Sequence, residues 1–199
     1  MKFPFLSAAV VAAAVAAMIG LGVWQLHRAA WKKDLLARYE QAPRLPVAAW
    51  PTVPGKPDDY YFRKAKGYCL EVAGWRAIAG RNRADEPGWS HIASCRTGAE
   101  GPGMQVDIGW SKSSDAPAWR GGAVAGIIAP DHEYGMRLVA AEAAPGLRPS
   151  APPSLESIPN NHMLYAIQWF LFAGIAALIY ALALRKRMRE GDVDATEAR

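Results

Sequence analysis

The sequence predicts an α+β membrane protein in which two transmembrane helices flank a small antiparallel, barrel-like β domain outside the cytoplasm. Two apolar segments lie near the ends of the chain, and each is long enough for the roughly 20 residues that a spanning helix needs. Between them, short runs of β-forming residues alternate with turn signals at near-regular spacing, which is typical of small barrels and sandwiches. The 199 residues suffice for one such domain and two spans.

These patterns divide the chain into six predicted segments. Residues 1–41 form an N-terminal transmembrane helix with an extension outside the membrane, residues 42–59 a proline-rich linker, and residues 60–147 the extracytoplasmic β domain. Residues 148–160 form a second proline-rich linker, residues 161–184 the second transmembrane helix, and residues 185–199 a tail that is first basic and then mixed in charge.

The first apolar segment carries no charge from residue 3 to residue 23. Lys2 precedes it, and Ala14-Val15-Ala16 offers a small-residue cleavage site, so a cleaved signal peptide is the alternative to a retained anchor. The apolar run exceeds the ~7–15 residues of a signal core, which favours the anchor. Because no proline interrupts residues 5–42, we expect the helix to continue for several turns beyond the membrane.

The β domain is predicted to contain six strands and one disulfide. The candidate strands are residues 61–73 with a kink at Gly67, 75–79, 89–95, 104–110, 123–129 and 136–143. Cys69 and Cys95, the two cysteines of the chain, both lie in this domain. An oxidising compartment favours a disulfide between them over two buried thiols. A metal-binding pair is disfavoured further because their wide spacing lacks a CxxC pattern.

Membrane orientation follows from the basic cluster Arg185-Lys186-Arg187-Met188-Arg189, which directly follows the second apolar segment. Such clusters prefer the cytoplasmic side. We therefore expect a multi-pass protein of the inner (plasma) membrane with both termini in the cytoplasm and the central domain in the periplasm. The tail after Met188 is expected to be disordered. The net charge of +5 does not indicate nucleic acid, because no basic-aromatic array of that kind appears.

The start of the second apolar segment carries the candidate site. Asn160 and Asn161 can cap the first N–H groups of the helix. His162 follows at the membrane boundary, with Tyr165 and Trp169 on the same face at i+3 and i+7. A histidine at this depth can bind a metal or a metallated macrocycle while the aromatic side chains pack against the ring. The alternative is an interfacial aromatic belt around a hydrated histidine.

The first helix contributes aromatic and cationic side chains at the same predicted depth, namely Trp24, Gln25, Arg28 and Trp31. If the helices pack, this set suits a haem, with the imidazole for the iron and Arg28 or Lys32 for the propionates. It suits plain helix packing with snorkelling cations equally well, and the residues alone do not decide between the two.

No catalytic residue and no enzyme activity are predicted. The sequence contains no HExxH, no GxSxG, no Walker loop and no dinucleotide-binding glycine motif. Ser90 and His91 are adjacent, but neighbours on a strand point to opposite faces and cannot form a nucleophile–base pair. The turn sequence Asp131-His132-Glu133 lacks a matching partner for a metal. A periplasmic hydrolase on a membrane tether is therefore disfavoured.

Three blocks of the sequence resemble the surfeit-locus (Surf-one/Shy-one) family of cytochrome c oxidase assembly factors. The first block is Leu21-Gly22-Val23-Trp24-Gln25 with Arg28 and Trp31-Lys32 after it, and the last is Asn160-Asn161-His162 with Tyr165-Ala166 and Trp169-Phe170. The middle block is Met104-Gln105-Val106-Asp107-Ile108-Gly109-Trp110, in which Ile108 stands where the family usually has arginine.

This resemblance implies a membrane-bound, non-enzymatic chaperone for the biogenesis of respiratory complex IV. It implies delivery or insertion of an a-type haem at the catalytic subunit of the oxidase, with His162 as ligand of the haem iron. Tyr165, Trp169, Trp24 and Arg28 are the predicted neighbours of this transiently held haem a. The expected partners are the catalytic oxidase subunit, the lipid bilayer and the enzyme that synthesises haem a.

A cofactor-free docking module that stabilises an oxidase assembly intermediate is the alternative function. Small residues in both apolar segments would allow the close helix approach that such docking needs. They are Gly20, Gly22, Ala173, Gly174 and Ala177.

Overall fold

The computed structural model of the chain describes residues 4–51, 55–99 and 103–197. Predictions for residues 1–3, 52–54, 100–102 and 198–199, at the two chain ends, in the first linker and in one turn, lie outside the described residues. The chain forms two compact units. Met1–Leu35 and Pro159–Arg199 belong to the first, and Leu36–Ile158 forms the second.

Two apolar helices dominate the first unit. α1 spans Pro4–Gln41, and its last turns belong to the second unit, while α2 spans His162–Glu197. Both are long and apolar enough to cross a membrane. α1 ends just before Pro43, which has no N–H to donate to the helical ladder. At the start of α2, the Tyr165 N–H donates to the Asn161 carbonyl oxygen at 3.2 Å, which makes Asn161 the cap residue.

The expectation of a disordered tail was wrong. α2 continues beyond Met188 and remains helical to Glu197. Residues 185–190 are good helix formers, whereas most of the residues from Gly191 on are not. A helix already nucleated by the preceding turns also elongates without a new nucleation cost.

One mixed sheet of seven strands forms the second unit. The strands are β1 Ala48–Ala49, β2 Lys64–Cys69, β3 Glu71–Arg81, β4 Pro87–Arg96, β5 Met104–Ser111, β6 Gly122–Asp131 and β7 Gly135–Ala140. Their order is β1-β2-β6-β7-β5-β4-β3. The six predicted strands are all present, although the first break falls at Leu70 and not at Gly74.

The predicted antiparallel arrangement was wrong for two strand pairs, and closure into a barrel is not confirmed. β1 pairs with β2 and β5 with β7 in parallel, whereas the other four pairs are antiparallel. β7 becomes a parallel neighbour of β5 because it inserts between β5 and β6. β1 was missed because it lies among linker prolines. A proline removes only its own N–H donor, so the alanines between Pro46 and Pro51 can still pair at a sheet edge.

The open sheet is strongly curled. β2 and β4 are four positions apart in the strand order, which would separate them by about 19 Å in a flat sheet. A disulfide nevertheless joins Cys69 on β2 to Cys95 on β4, with 5.1 Å between their Cα atoms. Arg76 on β3 similarly reaches Asp131 on β6, with 2.8 Å between Nη2 and Oδ2. The single residue Leu70 connects β2 to β3. β2 lies next to one edge of the sheet and β3 forms the other edge, so the chain passes from one side of the sheet to the other at this bend.

The curled sheet encloses an apolar core around β5. Its buried members are Trp50, Ala65, Cys69, Ala93, Cys95, Met104, Val106, Ile108, Ile128 and Leu138. Ile108 is 1% exposed, so an apolar side chain is well suited to this position of β5. Trp50 comes from the predicted first linker and donates its Nε1–H to the Gly103 carbonyl oxygen at 3.0 Å.

The other side of β5 carries a buried carboxyl group. Asp107 accepts hydrogen bonds from the Ser150 hydroxyl at 2.6 Å and from the Gly109 N–H at 3.1 Å. Ser150 lies in the predicted second linker, which pairs with the sheet at Asn82. Burial raises the pKa of Asp107 to about 6, against the lowering effects of the Ser150 hydrogen bond and the Arg137 charge.

Loss of the disulfide is expected to destabilise the second unit. The bond closes a loop with a sequence separation of 26 residues, for which chain entropy predicts a contribution of about 3 kcal/mol. Denaturant unfolding of the full chain in detergent, followed by tryptophan fluorescence, measures this difference between oxidised and reduced protein. The double variant Cys69→Ala/Cys95→Ala serves as the control, because its unfolding should not respond to the reductant. Equal free energies of unfolding for oxidised and reduced protein would contradict the assignment.

Asp107→Asn is expected to remove a pH dependence of stability. Because the pKa of Asp107 rises from 3.8 to about 6 on folding, the folded protein keeps a proton that the unfolded chain has released. The free energy of unfolding should therefore fall as the pH rises from about 4 to about 6, by at most about 3 kcal/mol, and level off above. Asparagine keeps an acceptor oxygen but does not ionise, so the variant lacks this decline. Parallel urea titrations between pH 4 and 7 would refute the account if both proteins gave the same profile.

Candidate functional site

α1 and α2 pack along a seam with heptad spacing. Up to Ala29, the less exposed positions of α1 are Ala8, Val11, Val15, Met18, Gly22, Gln25 and Ala29, and Lys32, Leu35, Leu36 and Tyr39 follow beyond the start of α2. On α2 they are His162, Ala166, Trp169, Ala173, Ala176 and Tyr180. Steps of three and four residues alternate in both sets, as in a left-handed coiled coil. Gly22 meets Phe170 whereas Gln25 meets His162, so the helices run antiparallel.

Small side chains allow the two helices to approach closely. A Cβ atom added to Gly22 would lie 2.7 Å from the Phe170 ring, whereas one added to Gly20 or Gly174 would meet nothing within 4 Å. Ala166 and Ala173 are buried on the facing helix. Among the small residues singled out from the sequence, Gly22 and Ala173 therefore lie on the seam.

This close approach brings Gln25 of α1 to His162 of α2. The distance between His162 Nδ1 and Gln25 Oε1 is 2.8 Å. An amide oxygen only accepts hydrogen bonds, so Nδ1 carries the proton and Nε2 keeps the lone pair of the neutral ring. Within the described residues, Nε2 has no hydrogen-bond partner. The half-buried imidazole thus retains one nitrogen that can bind a metal.

Two of the predicted aromatic residues follow His162 on α2. Trp169 is half-buried on the same seam, and its ring lies edge-on to Phe172 with 6.4 Å between the centroids. Tyr165 is 50% exposed beside the seam. Both could cover one side of a planar ligand bound at His162.

Trp24 and Arg28 lie outside the seam, and the described contacts bring neither of them to His162. Trp24 is 55% exposed, and the Arg28 guanidinium stacks on Trp31 at 4.1 Å from the ring centroid. Lys32, the other predicted propionate partner, is partly buried about two turns beyond Gln25 on α1. The described contacts do not bring it to His162 either.

Gln25 was predicted to lie at the depth of the site but not to contact His162, although a signal for this contact exists in the sequence. Gly22 and Ala29 precede and follow it by three and four residues. A glutamine between two small residues at heptad spacing is the pattern of a polar position inside a helix–helix seam.

The second unit contains a histidine–hydroxyl pair that adjacency in sequence does not predict. His91 Nε2 lies 2.8 Å from Ser111 Oγ. Ser111 donates its single proton to the Ser113 carbonyl oxygen at 2.7 Å, so the histidine must donate to the serine. Burial lowers the pKa of His91, which keeps the ring neutral. His91 is thus oriented as a donor and not as a base that activates the hydroxyl.

Asp131 of the turn sequence Asp131-His132-Glu133 is engaged in ion pairs with arginine. Its carboxylate lies 2.8 Å from Arg76 and 3.4 Å from Arg137. Although burial raises the pKa of Asp131, the Arg76 hydrogen bond and two backbone N–H groups bring it below its ordinary value. Among the described residues, no group of three or more His, Cys, Asp or Glu side chains could hold a metal ion.

A family comparison agrees with the three blocks that suggested a family from the sequence. Residues 12–174 match the sequence model of the SURF1 family, a span that includes Gln25, the whole sheet and His162. The chain belongs to the SURF1 family. No curated protein matches it. The SURF1 family is associated with cytochrome c oxidase assembly, and it is a family of assembly factors that are generally not enzymes.

Alanine substitutions at Gly22 and Gly20 of this SURF1-family protein should show how much the contact between α1 and α2 contributes to stability, apart from the intrinsic helix propensity of alanine. Gly22→Ala is expected to displace the Phe170 ring, whose far edge occupies the place of the new methyl group. Because Phe170 is 38% exposed, the ring can turn aside, so the contact should cancel part or all of the about 0.5–1 kcal/mol that alanine gains over glycine in a helix. Gly20→Ala meets open space and should stabilise by the full amount of about 0.5–1 kcal/mol. Unfolding of both variants in mild detergent, followed by circular dichroism, measures the effects. Equal shifts would contradict the seam.

Proposed function

We propose that this SURF1-family protein is a membrane-bound, non-enzymatic assembly factor for cytochrome c oxidase that holds an a-type haem for delivery to the catalytic subunit. The observation that carries the proposal is the half-buried His162 imidazole at the start of an apolar helix pair. One of its nitrogens is engaged by Gln25, whereas the other has no described partner. A histidine with one available nitrogen is the protein's usual ligand for haem iron.

In this proposal α1 and α2 span the inner membrane, the β unit lies in the periplasm and both termini are cytoplasmic. Large apolar side chains are exposed on the outer faces of both helices, among them Leu21, Leu171 and Ile179. Lipid is the environment in which such faces are stable. The basic cluster that begins at Arg185 favours the cytoplasmic side. The disulfide between Cys69 and Cys95 suits an oxidising periplasm.

The side chains around His162 fit the parts of a haem. Nε2 of His162 would ligate the iron, and Trp169 and Tyr165 would cover the macrocycle with apolar surface. Arg28, three residues beyond Gln25 on α1, or the partly buried Lys32 would neutralise a propionate, and Arg28 would then leave its stacking contact with Trp31. Trp24 remains a candidate for the outer edge of the ring. When bound, the haem contributes an iron centre that accepts an axial imidazole ligand.

A site of this kind is suited to a carrier. His162 lies at the first residue of α2 and is half-buried, so a second protein could approach the bound group from the open side. One imidazole ligand can be exchanged for a ligand of the recipient without breaking a covalent bond of the carrier. The catalytic oxidase subunit is the proposed recipient, and the enzyme that synthesises haem a is the proposed source.

A cofactor-free docking role is the second candidate. It is favoured by the exposed apolar side chains that both helices present away from their common seam, such as Leu164 and Leu178. Such faces could pack against membrane helices of an oxidase subunit as well as against lipid. This role requires the seam but does not require an available nitrogen on His162.

His162→Ala is expected to abolish or strongly reduce haem retention. The visible spectrum of detergent-purified protein from cells that make a-type haem measures retention as Soret absorbance per protein. His27→Ala is the matched control, because His27 is an exposed histidine on α1 and its loss should leave the spectrum unchanged. Circular dichroism establishes that both variants keep their helices.

Two results would overturn the ligand assignment. One is a Soret band of equal size and position in His162→Ala and parent protein. The other is the absence of haem from the well-folded parent protein, which would favour the docking role.

A further inference from the structure

We propose that Gln25 is the positioning residue of the haem site, which fixes the tautomer and orientation of His162. This inference rests on the proposed haem-holding function. The 2.8 Å contact between Gln25 Oε1 and His162 Nδ1 connects residues separated by 137 positions in the chain, so it depends on how α1 and α2 pack.

The chemistry of the contact selects one state of the imidazole. The amide oxygen can only accept, so it stabilises the tautomer with the proton on Nδ1 and the lone pair on Nε2. Histidines that bind metals generally donate their other N–H to such an acceptor, which orients the ring and increases its basicity. Gln25 therefore prepares Nε2 for iron before any haem arrives.

The surroundings of Gln25 restrict where its side chain can lie. Gly22 and Ala29, one turn away on either side, are buried seam positions with little or no side chain. Across the seam, Ala166 is fully buried one turn beyond His162. The space left between these small residues is occupied by the longer glutamine and histidine side chains. Packing thus holds the two polar side chains against each other, and this preorganises the ligand.

The choice of an amide over a carboxylate suits reversible binding. A buried carboxylate acceptor would give the imidazole more anionic character and so strengthen its donation to iron. It would also carry the cost of removing a charge from water. A neutral acceptor orients the ring with weaker donation, which is appropriate for a protein that must release its cargo.

The haem-free protein allows the first test. In full-length protein in detergent with ¹⁵N-labelled histidine, the ring nitrogen shifts of His162 report which nitrogen carries the proton. We expect the Nδ1–H tautomer in the parent protein and a mixture of both tautomers in Gln25→Leu. A parent protein with the proton on Nε2 would overturn the inference, because the amide would then be donating and the nitrogen needed for iron would be occupied.

Haem titration of matched variants provides the second test. With ferric haem b as the probe, Gln25→Leu should bind on the order of 10–100-fold more weakly than the parent, the range for loss of an outer hydrogen bond to a metal ligand. Gln25→Glu keeps an acceptor, so it should retain binding and lower the reduction potential of the haem below that of the parent. Gln168→Leu removes an exposed glutamine on α2 and should match the parent in both measurements.

The outcomes separate this inference from the function on which it rests. If the parent binds haem through His162 but Gln25→Leu and Gln25→Glu match it in affinity and potential, Gln25 has no positioning role. If the parent binds no haem, the proposed function and this inference fail together. Should Gln25→Leu not fold, the reduction potential of Gln25→Glu alone decides, and an unchanged value overturns the inference.

Discussion

The close approach of two apolar helices is the constraint on which the candidate site depends. Gly22 leaves room for the Phe170 ring, and the buried Ala166 and Ala173 face it from α2. At this separation the side chains of Gln25 and His162 form a hydrogen bond across the seam. A bulky residue at position 22 would push the helices apart and so weaken the hydrogen bond between Gln25 and His162. It would thereby change the orientation of the imidazole without contacting His162.

The β unit uses a different means to hold distant segments together. Its sheet is open in strand order, but the Cys69–Cys95 disulfide and the Arg76–Asp131 ion pair join strands that a flat sheet would keep far apart. The proline-rich segments on either side of the predicted domain also belong to this fold. Trp50 enters the core from the first, and Ser150 binds the buried Asp107 from the second. In a closed barrel, hydrogen bonds between the first and last strands would join the two edges of the sheet. Here the disulfide, the ion pair and the contacts of the linker residues hold the distant strands together.

Patterns of neighbouring residues predicted most of the helices and strands. They did not predict contacts between residues that are far apart in the chain. Apolar length and the proline at residue 43 predicted α1, and alternating turn signals predicted six strands, because these features depend on neighbouring residues. The parallel position of β7 and the edge strand β1 depend on pairing partners far along the chain. The same limit applies to the site. His162 and its aromatic neighbours lie on one helix and were predicted together, but Gln25 becomes its partner only through the register of α1 against α2.

The central claim is that the His162 imidazole holds haem iron, and a hyperfine measurement on the loaded protein tests it most directly. The full chain would carry ¹⁵N in its histidines alone and the substitution His27→Asn, which leaves His162 as the one histidine of α1 and α2. Pulsed electron paramagnetic resonance of the bound ferric haem should then show one strongly coupled ¹⁵N nucleus besides the unlabelled nitrogens of the macrocycle. A bound haem without coupling to any labelled nitrogen would contradict the account.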